Sequence, residues 1–140
     1  MKTIFLHVFN DGHTHRKVDA LIDTGATNNF MTPALAKELL LTPTTLSKPR
    51  IIRNVDGTQN KGGRITSFVD LEVKTGHDDS SWFSMPGTQQ RFYLADLGDD
   101  EMILGYPWVS SLTTPLDWAN DQQNPTIFAM SHDLDRKSVV

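Results

Sequence analysis

Residues Ala20 to Phe30 read ALIDTGATNNF, with one aspartate, Asp23, behind an apolar run and ahead of a glycine. An aspartate followed by Thr or Ser and then Gly arises by chance in roughly one chain of this length in fifteen, so the tripeptide alone decides nothing. Asp-Thr-Gly also suits an ordinary β-turn. The alternative is catalytic. An aspartate serves as general base toward water when a second carboxyl shares its proton, and that requires two loops to meet almost face to face. Gly25, without a Cβ, lets backbones come close, and the Thr24 hydroxyl can bond main chain on the opposite loop. The neighbouring sequence decides between the two readings.

Upstream, Thr3 to Phe9 has a strand-like composition and runs into Asn10-Asp11-Gly12, a hairpin signal. The return strand, Lys17 to Ile22, alternates Val18, Ala20 and Ile22 with Asp19 and Leu21, and so delivers Asp23 to a strand end. Downstream, Thr32-Pro33 predicts an N-cap and a first helical residue, with Leu35, Ala36, Leu39 and Leu40 on the apolar face of a short helix. The Thr/Ser/Pro-rich segment Thr42 to Pro49 reads as a loop. Strands at Arg50 to Val55 and Arg64 to Lys74 predict a second hairpin whose glycine-rich tip holds Gly57, Gly62 and Gly63. Trp82 to Met85 and Arg91 to Leu94 read as short strands. Met102-Ile103-Leu104-Gly105 is an apolar run ending on glycine, and Pro107 opens a short helix. Leu116 to Trp118 and Thr126 to Ala129 are the last strand candidates before a polar tail. Many short strands with one or two short helices predict a mostly β domain.

In this order, ALIDTGATNNFMTPALAKEL, RNVDGTQNKGGRITSFVDLEV and FYLADLGDDEMILGYPWVSSLTTPLDW resemble the retropepsin-like aspartic proteases, specifically the protease domain of gypsy-type LTR retrotransposon polyproteins. The resemblance spans about Lys2 to Trp118, and three ordered segments are far more specific than a tripeptide. It implies a closed, β-barrel-like acid-protease lobe, one per chain, over residues 1–118, with residues 119–140 a C-terminal strand and polar tail that links onward in a polyprotein. It implies that Asp23 is the catalytic carboxylate, Thr24 the interlocking hydroxyl and Gly25 a main-chain contact. Substrate would lie against Ala26, Thr27, Asn28 and Ile103, under a flap tip at Val55, Asp56, Gly57 and Thr58. Retroviral relatives carry an aspartate and an arginine where this chain has Thr27 and Tyr106, so their stabilising ion pair is absent here.

Two-loop enzymes of the pepsin type need a chain of more than twice this length, whereas this one holds a single Asp-Thr-Gly; Asp56 and Asp117 lack the motif. The second aspartate is therefore expected from a second copy in a homodimer, with a peptide or polyprotein as substrate and no metal or cofactor. The rival expectation is a retropepsin-fold domain that binds peptide or only dimerises. Other classes are disfavoured by composition. The 140 residues, 38% of them hydrophobic, suit one domain. A net charge of -4 without a basic cluster argues against nucleic acid as a direct partner. The sequence has no cysteine and hence no disulfide or thiolate site, which leans toward an intracellular setting, in the cytoplasm or a retroelement particle. The short apolar run at the start mimics a secretion signal, but His7 interrupts it, and no run has the length of a membrane span. His13 and His15 lack a third ligand at metal-binding spacing, and Asp96, Asp99, Asp100 and Glu101 read as a solvated turn.

Overall fold

The hairpin that carries the aspartate forms as the alternation predicts. In the computed structural model, which describes residues 2–10, 14–53, 59–76, 87–112 and 126–131, strands β1 (Lys2–Asn10) and β2 (Thr14–Ile22) pair antiparallel from Asn10 opposite Thr14 to Lys2 opposite Ile22. Val18, Ala20 and Ile22 are buried, while Asp19 between them is exposed. The turn at Asp11-Gly12 lies outside the described residues, as do Trp82 to Met85, Leu116 to Trp118, the tail beyond Ser131 and the flap tip Val55 to Thr58.

Beyond the Asp23 loop comes β3 (Asn29–Met31), a three-residue strand too short to show a periodicity. Thr32 caps helix α1 (Pro33–Glu38), its hydroxyl oxygen accepting from the Leu35 N–H at 3.2 Å, with proline in the first turn. The helix stops earlier than its apolar pattern suggests. Leu40 adopts φ 58° and is 69% exposed, so it is not on the apolar face. The Leu41 N–H donates to the Ala36 carbonyl and the Leu40 N–H to that of Lys37. This pair of bonds is a Schellman cap, which places the residue at Leu40 in the left-handed region and turns Leu41 into the core instead.

The remaining elements are β4 (Thr44–Arg53), β5 (Gln59–Gly76), β6 (Gly87–Leu94), β7 (Met102–Leu104), helix α2 (Tyr106–Val109) and β8 (Thr126–Ser131). Thr44 to Pro49 is thus strand and not loop. It lies at the end of the sheet, beside β5 alone, where threonines suit the pleat and a proline without an N–H is tolerated. The register with β5 shifts between Thr45 and Arg50, a break that accommodates Pro49. Gly62 and Gly63 fall inside β5 rather than at a hairpin tip, and Gly63 takes φ 72°.

Among the described residues, eight strands form one mixed sheet in the order β4-β5-β6-β3-β7-β2-β1-β8, and β8 also pairs with β5. Pairing therefore runs in a ring from β5 round to β8, with β4 as an outer edge. Val18, Ala20, Met31, Leu35, Leu39, Leu71, Phe92, Met102, Leu104 and Trp108 pack together inside. Arg16 on β2 bonds Glu101 at 2.7 Å and Glu38 at 2.9 Å, tying the helix end to the segment before β7; the hydrogen bond it donates to the Glu101 carboxylate raises the guanidinium pKa. The architecture, mostly β with two short helices, is the one expected of a single retropepsin-like lobe.

Candidate active site

Two adjacent parallel strands end together: Leu21 lies beside Ile103, and Ile22 beside Leu104. The Asp23 loop leaves the first and the Gly105 turn leaves the second. Three consecutive residues of that turn each bond the loop. The Leu104 carbonyl accepts from the Asp23 N–H at 3.0 Å, and the Tyr106 N–H donates to the Ala26 carbonyl at 2.9 Å. Between them, the Gly105 N–H donates to the side-chain oxygen of Asn29 at 2.8 Å.

The contact is close enough to require glycine. A Cβ on Gly105 would collide with the Asn28 carbonyl and would come to 2.8 Å from that of Ala26. Within the loop, the Gly25 N–H donates to the Asp23 Oδ1 at 3.0 Å and the Ala26 N–H to the Asp23 carbonyl at 3.0 Å. The carboxylate thus has one oxygen held against its own loop, on a side chain that is half-buried.

Among the residues singled out from the sequence, Thr24, Gly25 and Thr27 are exposed at the loop surface, and Asn28 is half-buried with its amide donating to the Thr27 hydroxyl at 3.3 Å. Ala26 and Ile103 are brought together against a second apolar cluster of Phe30, Ile65, Phe68, Tyr93 and Ala95, which Leu46 and Leu97 extend. An apolar wall therefore begins at the loop and continues across β5 and β6. Val55, Asp56, Gly57 and Thr58 lie outside the described residues, so the flap contributes no geometry here. Tyr106, at the position of the relatives' arginine, is 59% exposed and meets the loop through its backbone.

Among the described residues no group of three or more His, Asp or Glu side chains is arranged to hold a metal. The acidic turn is organised by itself, with Asp96 Oδ1 accepting from the Gly98 N–H at 3.0 Å. The sequence reads Ile103-Leu104-Gly105 as an apolar strand end that can pack behind the Asp23 loop, and the Gly105 turn does abut that loop. One residue of the site was not identified from sequence. Asn29, the second of two adjacent asparagines, has the composition of solvated loop and gave no signal, yet it is 1% exposed.

No curated protein and no solved structure matches the chain. The PEG10/RTL1 protease domain, a retropepsin-like domain of gypsy-derived retroelement genes, matches residues 19–125, which include the whole of the Asp23 loop, β7 and the Gly105 turn. With that match covering well over half its length, the chain belongs to the PEG10/RTL1 protease domain family.

Proposed function

We propose that this domain is an aspartic endopeptidase that works as a homodimer, each copy contributing one Asp23. The observation that carries the reading is the Asp23 loop itself: an aspartate at a strand end whose N–H donates to the Leu104 carbonyl, in a loop held again where the Ala26 carbonyl accepts from the Tyr106 N–H, with the exposed Thr24 and Gly25 presented beside it. A residue serving only as a turn has no need of such restraint. Two Asp23 carboxyls brought about 3 Å apart across a two-fold axis cannot both ionise, so one keeps its proton near neutral pH or below.

The ionised member takes a proton from a water held between them; the water attacks the scissile carbonyl carbon, and the protonated member donates to the carbonyl oxygen. Collapse of the tetrahedral species returns a proton to the leaving amine and breaks the carbon–nitrogen bond. Thr24 grips the opposite loop. The substrate lies extended as an added strand against Ala26, Thr27, Asn28 and Ile103, under the flap segment Val55, Asp56, Gly57 and Thr58. The natural substrate on this reading is the retroelement-type polyprotein that contains the domain, cut inside the cell.

The test compares the purified chain with its Asp23→Asn variant on a panel of apolar-rich peptides at mildly acidic pH. Hydrolysis should be lost in the variant with thermal stability unchanged, and cleavage that survives the substitution would show that the enzymatic reading is wrong. Sedimentation velocity gives the second arm. The active species should be a dimer whose specific activity falls on dilution, and a strictly monomeric species that still cuts would sink the shared-carboxyl mechanism. A dimer that binds peptide without cutting it would instead establish the domain as a peptide-binding module.

A further inference from the structure

Asn29 and Gln90 are the two buried polar side chains among the described residues, at 1% and 6% exposure, and they are bonded to each other. The Asn29 side-chain oxygen accepts from the Gly105 N–H at 2.8 Å, its Nδ2 donates to Gln90 Oε1 at 2.9 Å, and Gln90 Nε2 donates to the Thr88 hydroxyl at 3.0 Å. The direction of this chain of bonds is forced. A backbone N–H can only donate, so the Asn29 oxygen must face Gly105, its amide nitrogen must face Gln90, and the Gln90 nitrogen must turn to Thr88. Each amide is locked by the next.

The position of this network matters more than its satisfaction. Of the three bonds that hold the Asp23 loop against Leu104-Gly105-Tyr106, the outer two are backbone to backbone and the middle one is the Asn29 amide. Asn29 is also the first residue of β3, whose partner strands are β6 and β7. Gln90 and Thr88 lie on β6. The network therefore fixes the far end of the loop relative to a strand that takes no direct part in it. Burying two amides costs free energy unless every polar atom finds a partner; an apolar pair would serve packing equally well but could not accept from Gly105.

We propose that Asn29 is a positioning residue for catalysis: its amide, oriented by Gln90 and Thr88, holds the Gly105 turn against the Asp23 loop and so sets the height at which the Asp23 carboxyl meets its partner. It touches neither substrate nor the reacting atoms. The inference rests on the proposed role of Asp23, but its structural half does not require activity.

The experiment uses three variants of the full chain. Asn29→Leu removes the acceptor, Asn29→Asp keeps an oxygen for Gly105 while Gln90 turns its amide to donate, and Gln90→Met leaves the acceptor but frees it to rotate. Amide hydrogen exchange is read first. In Asn29→Leu the Gly105, Asp23 and Tyr106 amides should exchange at least about tenfold faster while those of Leu71 and Val73 in the core keep wild-type rates; Asn29→Asp should restore protection. Peptide hydrolysis is read second, with kcat falling on the order of 10- to 100-fold at nearly constant KM in Asn29→Leu, as expected when a reacting group is displaced without loss of binding, and recovering in Asn29→Asp. Should Asn29→Leu fail to fold, Gln90→Met must show the same selective loosening. Unchanged loop amides, or loop and core amides accelerating together, would overturn the proposal. Selective loosening in the variants, with a wild-type chain that cuts no peptide, would uphold the positioning of the loop by Asn29 and remove the catalytic reading instead.

Discussion

Gly25 and Gly105 face the same loop and answer the same substitution differently. A Cβ at Gly105 meets backbone carbonyls of Asn28 and Ala26, groups that cannot move without displacing the loop. Gly105→Ala should therefore cost about 3 kcal/mol, read as a lowered urea midpoint at unchanged slope. At Gly25 a Cβ meets only the Asp23 Oδ1, at 3.3 Å, an atom at the end of a side chain. Gly25→Ala should leave stability within about 0.5 kcal/mol while turning the carboxyl and reducing peptide hydrolysis by more than about tenfold. A single pair of melts and rate measurements separates a glycine that preserves the fold from one that preserves the site. Both glycines stand out in the sequence, whereas Asn29 does not. What distinguishes Asn29 from its neighbour Asn28 is burial, and burial is conferred by β6 and β7, strands distant in sequence.

At the level of elements, the readable parts were those whose pattern is local. The alternation of β2, the Thr32-Pro33 cap and the proline that opens α2 each depend on a few adjacent residues. β3 and the first half of β4 were not readable, because neither earns its strand geometry alone. β3 is held by parallel pairing to β6 and antiparallel pairing to β7, and β4 is drawn out along β5 despite its proline. Helix α1 has the opposite problem, its apolar pattern outlasting it by two residues, Leu39 and Leu40. Leu40 pays roughly 1–2 kcal/mol for its left-handed backbone and leaves a large apolar side chain in water. Glycine at this cap position removes that strain, offset in part by about 0.5–1 kcal/mol of chain entropy. Leu40→Gly should raise the melting temperature by about 2–5 °C with no change in peptide hydrolysis, measured by calorimetry and a rate assay.

For the molecule as a whole, the decisive element is β8. It lies parallel to β1 through Leu6 opposite Ile127 and antiparallel to β5 through Glu72 opposite Met130, filling the space between two strands that begin and end the ring. Ala129 at its centre is fully buried within the main core. Ala129→Asp would bury a charge without a partner and should destabilise the chain by more than about 3 kcal/mol, seen as loss of a cooperative thermal transition. Thr126 to Ala129 was identified as strand from composition, but no local feature says that it pairs with the first strand of the chain. Within the domain the Asp23 hairpin leaves the ribosome before β8, which follows it by more than one hundred residues. At ordinary synthesis rates that gap is on the order of ten seconds, and until it closes β1, and β5 once it is made, lack a neighbour that they have in the finished lobe. The order of synthesis thus acts as a timer: the strand ring that backs the aspartate loop cannot be completed until the far end of the domain has been made.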